Sequence, residues 1–591
     1  MQSIAIVANS NYDGTSHVPS CLLLLLIILL APICLRSQTS NSTFLQGNIV
    51  AADGSGLPRA HVELLHVPTG TMYRVAAGED GHFLIAGVRV GGPYTLKISH
   101  IGFGTQMRSG LFLRSYENAR VDVVLHQVNL QGQEVVVTGE RKDKIQNKMN
   151  GTSLRVDREQ LDALPHTSGS LEDAQRLSPY MVGQSALGFN RMYNDLSLDG
   201  IGIGDEFGLQ HAETMPGGMQ ASPVTMESIQ EVRVDLSPFD VQRSGFTGAA
   251  ISALTRGGTR VLSGSLYGQT AGGWGVGRNP DDRRSDLRGF ADDRAGFRIG
   301  GPIIKSRAFY FVAAELSRMR VPIERQFGAP TTGGTMFSFS PEAITQFVTV
   351  LDTAHSFDPG RFDIVTLQRQ SANVFARFDL NLARGQRLSL RYNLLGSRTD
   401  RPPDGLTVFA EGTLGRNVNT VHSFVASLNS VIGSSTANEL QIGLTRRQFT
   451  STPLGTPFPF VDVIELDRLQ WWNHLTVGNE IGGTGNRALD DHLELRNGTS
   501  LSLGGHLFTG GIQGDMHWFK SRRLWDQWGH YTFASRAAFI GGQPTEYEYR
   551  YPRTSGGSDG TRWRALQFGA FVQDEMTVSP VLSVSRPTRK A

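Results

Sequence analysis

Short runs in which apolar and polar residues alternate recur along most of the chain after residue 43. Within residues 43–127 these runs are interrupted by DGSG, PTG, GEDG and VGGP. Alternation with a period of two is typical of strands with one buried face, and such interruptions are typical of turns. The pattern predicts a mainly β fold that begins with a small antiparallel β-sandwich over residues 43–127.

Residues 151–260 combine strand patterns with one helical signal. The sequence predicts a strand, a turn at Pro165 and a short helix from Ser170, whose first turn carries acidic residues favoured by the helix dipole. Two further strands are predicted at 229–236 and 249–255. We expect an α+β domain here, with a hinge formed by glycines that allow the chain to reverse in little space: Gly245, Gly248, Gly257 and Gly258.

From residue 261 onwards, amphipathic strands alternate with polar loops. Short turns are predicted at Gly300-Gly301-Pro302, between strands with outward aromatic residues, and at Ala-Arg-Gly-Gln 383–386, whereas 320–367 and 450–488 are long loops. Short turns on one side and long loops on the other are typical of an antiparallel transmembrane β-barrel. No repeat of about forty residues is present, which argues against a soluble propeller.

Composition narrows the class of protein. The chain has 591 residues with 68 Gly, 31 Phe and 13 Tyr, and its net charge of +2 gives no indication of a nucleic-acid partner. Its 2 cysteines, Cys21 and Cys34, lie in the apolar segment CLLLLLIILLAPICL. This segment predicts a signal peptide at 1–38, with a lipoprotein anchored at Cys34 as the alternative. No later segment is long and apolar enough for a membrane-spanning helix.

The sequence contains no catalytic motif in the structural context that its chemistry requires. The chain has no H-E-x-x-H, and the G-x-S-x-G match at 556–560 lacks the strand and helix that a nucleophile elbow needs. His61, His66 and His82 are irregularly spaced, and we interpret them as surface or half-buried side chains. We therefore expect no enzyme activity, no cofactor and no metal site.

Three segments resemble known families. Residues 226–267, MESIQEVRVDLSPFDVQRSGFTGAAISALTRGGTRVLSGSLY, resemble the end of the plug domain of TonB-dependent outer-membrane receptors, and 194–200 resembles the N-x-x-x-x-D-G element of the same plug. Residues 80–98 resemble a carboxypeptidase regulatory-like domain, a module without catalytic residues. The segment GFRIGGPIIKSRAFYFVAAELSR is similar to the Oar-like branch of the receptors.

The resemblance implies a transporter in the outer membrane of a Gram-negative bacterium. A plug at 151–260 would sit inside a barrel at 261–591, surrounded by outer-membrane lipids, and would bind an unknown extracellular ligand through loop residues Asp199, Asp205, Glu206 and Phe207. TonB, with its inner-membrane energising complex, would pair with a β-prone segment in the linker 128–150. That segment is Glu134, Val135, Val136, Val137, Thr138 and Gly139, for which a last sandwich strand is the alternative.

The barrel is expected to be incomplete. The residues after 260 suffice for roughly ten to fourteen strands, whereas receptors of this class have roughly 22. A C-terminally truncated reading frame is the explanation we favour, and we expect such a chain not to insert as it stands. Two other functions stay open: a non-transporting surface protein for adhesion or export, and a secreted accessory module of a peptidase.

Overall fold

The computed structural model describes most of the chain after residue 41. The described residues are 42–114, 118–127, 151–164, 169–204, 222–238, 246–275, 289–324, 339–383, 385–403, 407–433, 435–466, 472–479, 485–503, 506–522, 526–551, 560–579 and 582–590. The predicted signal peptide at 1–38 and the linker at 128–150 lie outside them.

The first domain is a sandwich of two sheets. Its strands are β1 (Ser42–Ala51), β2 (His61–His66), β3 (Thr71–Ala76), β4 (His82–Arg89), β5 (Gly91–Ser99), β6 (Gln106–Leu113), β7 (Asn118–Arg120) and β8 (Val123–Leu125). One sheet has the order β4-β1-β7, with β8 also on β1, and the other has the order β3-β2-β5-β6. Residues such as Leu64, Tyr94 and Leu96 alternate into a common core.

Two details of this domain differ from the sequence prediction. The sheets are not wholly antiparallel, because β7 and β8 both pair parallel to β1. His66 is neither at the surface nor half-buried: it is 5% exposed, and its Nδ1 lies 2.7 Å from the hydroxyl oxygen of Thr69. That hydroxyl gives the ring a polar partner inside the domain, which allows a histidine to be buried there.

The second unit is the predicted α+β domain. It contains β9 (Gly151–Asp157), α1 (Arg158–Ala163), α2 (Leu171–Gln175), β10 (Met181–Val182), β11 (Ser185–Ala186), β12 (Asp195–Leu198), β13 (Ile201–Gly202), β14 (Ile229–Pro238) and β15 (Ala250–Thr255). The main sheet has the order β13-β12-β15-β14-β9. The strands predicted at 229–236 and 249–255 and the helix after Ser170 are confirmed. Helix α1 was missed, although Asp157 and Gln160 form a capping box at its start.

The rest of the described chain is dominated by long strands. In chain order they are β16 (Ser263–Gly272), β17 (Ala291–Ile304), β18 (Ala308–Glu324), β19 (Ile364–Ala383), β20 (Gln386–Arg401), β21 (Thr407–Phe409), β22 (Gly415–Ile432), β23 (Thr436–Pro453), β24 (Phe460–Leu466), β25 (Trp472–Val477), β26 (Arg487–Leu503), β27 (His506–Arg522), β28 (His530–Phe533), β29 (Glu546–Glu548), β30 (Thr561–Ser579) and β31 (Leu582–Lys590). Two helices, α3 (Pro341–His355) and α4 (Arg536–Ile540), interrupt them.

Eleven of these strands form one antiparallel sheet. Its order is β16-β17-β18-β19-β20-β22-β23-β26-β27-β30-β31. Each strand therefore pairs with the strands of this sheet that come before and after it in the chain. The strand number lies within the predicted range, and the mainly β fold class with a partial barrel is confirmed. Among the described residues, no pairing joins β16 to β31.

The hairpin β17–β18 departs from its predicted form. Strand β17 continues through Gly300-Gly301-Pro302, and the turn lies later, at residues 305–307. The two glycines serve close packing instead of a reversal, since a Cβ added at Gly301 would press on Leu262. Phe309 and Phe311 are buried, whereas the sequence analysis predicted that the aromatic residues of this hairpin face outwards.

Within the described residues, no helix is long and apolar enough to cross a membrane.

The long loops predicted at 320–367 and 450–488 lie on one side of the sheet, and their described residues contain regular structure of their own. Four loops on this side supply α3, β21, β24, β25, β28, α4 and β29, and the five strands form a separate sheet of order β21-β25-β24-β28-β29. We call this unit the cap. Its core is a single cluster of buried side chains that includes Phe347, Leu351, Val408, Val463, Leu475 and Phe539.

Candidate plug-seating site

The hairpin formed by β12 and β13 is the point at which the α+β domain, hereafter the plug, meets the barrel wall. Its turn is Asp199-Gly200, and both residues have positive φ, at 51° and 86°. Asp-Gly suits such a two-residue turn because both positions tolerate left-handed backbone conformations. The turn directs the main chain of residues 198–202 at the inner face of the large sheet.

Inward-facing polar side chains of the wall hold this main chain. Arg391 donates to the carbonyl oxygen of Leu198 at 3.0 Å, and Gln441 donates to that of Asp199 at 3.2 Å. Gly202 is held at both ends, because its N–H donates to Glu494 at 2.9 Å and its carbonyl accepts from Arg447 at 3.3 Å. Three wall strands, β20, β23 and β26, therefore bind one plug hairpin.

The carboxylate of Asp199 ties the same turn to the end of the plug sheet. It accepts from the backbone N–H of Thr255 at 2.8 Å and from its hydroxyl at 2.7 Å. Arg377 and Arg391 lie 3.8 and 3.7 Å from it, and the residue is 4% exposed. A carboxylate enclosed in this way suits a structural role, so the geometry argues against its predicted contact with an extracellular ligand.

A second buried carboxylate links the wall to the sandwich. Asp379 accepts from Arg377 at 3.1 Å, from Ser389 at 2.6 Å, and from Arg89 of the sandwich. Arg377 also donates to the carbonyl oxygen of Thr255 at 3.2 Å. The charged groups thus form a continuous chain from sandwich through barrel wall to plug.

The sandwich lies at the ends of the short turns. Arg260 donates its N–H to the carbonyl oxygen of Pro68 at 2.7 Å, and Asn381 and Arg387 each lie 3.4 Å from a sandwich hydroxyl. An apolar contact adds to these bonds through Phe44, Leu84, Ala437 and Leu507. The sandwich and the cap thus lie at opposite ends of the sheet, the sandwich at the short turns and the cap at the long loops. In outer-membrane barrels the short turns face the periplasm.

Apolar packing also holds the plug against the barrel wall, and we call this packing together with the hydrogen bonds to the β12–β13 hairpin the seat. Phe311 and Phe375 of the wall belong to the same buried cluster as Leu198 and Val232 of the plug, and their rings lie 6.1 Å apart in an edge contact. Glu227 of the plug also pairs with Arg298 of the wall at 2.6 Å. The plug is therefore held by both its core and its polar hairpin.

The predicted hinge glycines have a different local role where the structure describes them. None of Gly248, Gly257 and Gly258 has a positive φ. Instead, an added Cβ would overlap Asn194 at Gly248, Arg89 and Asp379 at Gly257, and the backbone of Tyr310 at Gly258. Close approach of backbone thus requires glycine at Gly258, whereas at Gly248 and Gly257 the neighbouring atoms belong to side chains. Hinge motion stays a prediction.

Several predicted site residues lie outside the described residues. They are the TonB-coupling segment Glu134, Val135, Val136, Val137, Thr138 and Gly139, the ligand residues Asp205, Glu206 and Phe207, and Gly245. Sequence reasoning did not find the wall residues Arg377, Asp379, Arg391 and Glu494. Their signal was present as charges at alternate, inward positions of strands such as ARFDL, which is typical of a barrel lumen.

Comparison with known proteins agrees with this architecture. Residues 45–126 match the carboxypeptidase regulatory-like domain and residues 254–589 match the outer membrane beta barrel domain. The TonB-dependent transporter Oar of Myxococcus xanthus is 26% identical over 258 residues, which are 40% of this chain and 23% of that protein. The outer membrane transporter YddB of Escherichia coli has a similar fold, with a TM-score of 0.50 at 10% identity, covering 74% of this chain and 56% of that one.

The chain thus spans less than two thirds of the length of either relative. At 10% identity the likeness to YddB concerns the fold alone. The family match, however, covers more than half of the chain, and the homology to Oar is consistent with it. The chain belongs to the outer membrane beta barrel domain family, is a homologue of TonB-dependent transporters with an N-terminal carboxypeptidase regulatory-like domain, and resides in the Gram-negative outer membrane.

Proposed function

We propose that this chain takes part in TonB-dependent import of an extracellular substrate, which passes through the barrel once the plug has rearranged. The observation that carries the proposal is the plug-seating hairpin, whose main chain is held by side chains of Arg391, Gln441, Arg447 and Glu494. The homology to a TonB-dependent transporter supports it.

The strength of the seat suits a reversible blockage. A typical hydrogen bond contributes about 1 kcal/mol net, and one to a charged group contributes about 1.5–3 kcal/mol. Four such bonds hold the plug firmly, yet none of them is covalent. Mechanical pull can therefore break them in turn, and they can form again when the pull ends.

The proposed partners follow from this scheme. TonB and its inner-membrane energising complex would pair with 134–139 by strand addition, while the ligand would contact 205–207 and the cap from outside. Outer-membrane lipids surround the barrel. We propose no nucleic-acid partner, no cofactor and no catalytic role for the chain.

The experiment uses a cysteine placed at the seat. Ser197 is 5% exposed on β12, and Ser197→Cys is nearly isosteric. In cells with an intact proton gradient, we expect a membrane-impermeant maleimide to label this cysteine from outside. Labelling should fall at least five-fold when residues 135–138 are deleted or when the gradient is collapsed.

Two controls accompany the labelling. Thr545→Cys lies on the exposed cap and should be labelled equally in all conditions, and the chain without an added cysteine gives the background. Equal labelling of Ser197→Cys with and without residues 135–138 would contradict the proposal. That outcome would favour the non-transporting adhesion or export protein.

A further inference from the structure

Three side chains with metal-binding chemistry converge at one edge of the cap. His530 on β28 and Glu548 on β29 are direct cross-strand partners, and Asp526 lies one turn before β28. A ligand atom from each lies within 4.8 Å of the other two. Direct partners on neighbouring strands point to the same face, so the sheet register itself brings the imidazole and the carboxylate together.

The imidazole of His530 is oriented by its surroundings. Its Nε2 lies 3.3 Å from the hydroxyl oxygen of Thr532, and its ring makes an edge contact with Phe460 at a centroid distance of 5.1 Å. These contacts leave Nδ1 directed at Asp526, 3.9 Å from Oδ1. A histidine that binds a metal through one nitrogen is typically fixed by a hydrogen bond at the other.

The buried carboxylate of Asp526 independently indicates a binding site for a cation. Its side chain is 1% exposed, and neither carboxylate oxygen has a hydrogen-bond partner among the described residues. Burying an ionised carboxylate without hydrogen bonds costs several kcal/mol unless a cation compensates. The backbone at Asp526 has φ of 50°, which aspartate and asparagine tolerate better than most residues.

Arg550 is the cation that now faces the cluster. Its Nε lies 3.3 Å from Asp526 and its terminal nitrogen 3.5 Å from Glu548. Its side chain is 54% exposed, however, so it can turn into solvent without breaking a packed core. The arginine and a metal ion would therefore compete for the same two carboxylates.

We propose that Asp526, His530 and Glu548 form a binding site for a divalent transition-metal ion at the β28–β29 edge of the cap. One nitrogen and two carboxylate oxygens suit Zn²⁺, whose bonds to such ligands are about 2.0–2.2 Å, and do not suit Ca²⁺, which takes oxygen ligands. Binding would require side-chain movements that bring the three ligand atoms, which lie within 4.8 Å of one another, to these distances from the ion. The ion would fasten the turn before β28 to the edge strand β29.

The test is isothermal titration of ZnCl₂ and CaCl₂ into the purified chain, prepared in detergent without a histidine tag. We expect one Zn²⁺ to bind and Ca²⁺ to give no heat at the same concentrations. Asp526→Asn keeps the side-chain shape and the backbone preference, and should weaken Zn²⁺ binding at least ten-fold. Arg550→Gln should bind Zn²⁺ as tightly as the parent or more tightly, because the competing charge is removed.

Matched variants keep the result unambiguous. Asp462→Asn alters the carboxylate that contacts His474 at 2.9 Å elsewhere in the cap sheet, and should bind Zn²⁺ like the parent. His530→Gln repeats the test at a second ligand, and thermal unfolding without metal shows whether each variant is folded. The proposal is overturned if the parent binds no Zn²⁺ or if both ligand variants bind it normally. It is also overturned if only His492→Gln, in the lumen cluster of His492, Glu494 and Asp515, loses binding.

Discussion

Arg377 and Thr255 are 122 positions apart, yet the guanidinium of Arg377 donates to both the hydroxyl and the carbonyl oxygen of Thr255, at 2.9 and 3.2 Å. One residue belongs to the barrel wall and the other ends the plug sheet. Arg377 also pairs with Asp379, which contacts Arg89 of the sandwich, so one continuous set of ion pairs and hydrogen bonds joins all three parts.

Arg377→Met should destabilise the seated plug by about 3–5 kcal/mol, the usual cost of removing one partner from a buried ion pair. Asp379 and Asp199 would keep buried negative charge with less compensation. Thermal unfolding in detergent measures the change, and protease sensitivity of the plug should rise with it.

The matched control for that variant is Arg361→Met. Arg361 pairs with Asp363 at 3.0 Å, but both side chains are more than half exposed, so the expected loss is much smaller than for Arg377→Met. Similar losses in the two variants would show that the buried ion pairs contribute no more to stability than an exposed ion pair does.

Gly258→Ala should reduce the yield of folded protein strongly. The added methyl group would overlap the backbone of Tyr310, which cannot move without disturbing β18. Gly396→Ala is the control, because nothing lies within 4 Å of the position of its Cβ. Heat-modifiable migration on a gel reports the folded fraction, and equal fractions for both variants would contradict the packing explanation.

Phe347→Ala should loosen the cap and leave the barrel intact. Phe347 of α3 packs on Phe362 and Phe539, which come from two different loops, and Phe→Ala in a core costs about 3–5 kcal/mol. Hydrogen exchange should accelerate in the cap strands β24, β25 and β28 but not in the wall strands β19, β20, β22 and β23. Thr349→Ala, at an exposed position of the same helix, should change neither. Unchanged exchange in the cap of Phe347→Ala would show that the loops do not share one core.

Acid should weaken the sandwich through His66. Burial, together with the nearby charges of Arg89 and Arg387, lowers the pKa of His66 from 6.5 to about 3. The stability contributed by the neutral ring is therefore present in full above pH 6.5 and is lost as the pH falls from there towards 3. Thermal unfolding as a function of pH should show a steeper loss for the parent chain than for His66→Gln. His61→Gln, at an exposed position, should follow the parent.

Much of the architecture could be predicted because its signals are local. The strands β14 and β15 alternate clearly and are bounded by turn residues, and the hairpin turn at 383–386 falls between β19 and β20 as expected. The turn of β17–β18 was misplaced because glycine and proline were interpreted as a reversal. They instead permit close packing inside a long strand.

The seat could not be predicted in the same way. Arg89 and Asp379 are 290 positions apart, and no local pattern specifies that pair. Asp199 was interpreted as a ligand-contacting loop residue because 194–200 resembles an element of the plug, whereas the fold turns its carboxylate towards Thr255 and two wall arginines. The cap was missed for a similar reason: its apolar residues are divided among four loops, and none of these loops has enough of them to form a core alone.

The shared core of the cap also constrains how this protein can diversify. A binding surface made of independent loops can change one loop at a time, whereas here each loop contributes side chains that the other three must fit. Grafting a single loop from a related protein should therefore fail unless its inward residues match, while substitutions at outward positions remain free to vary between strains.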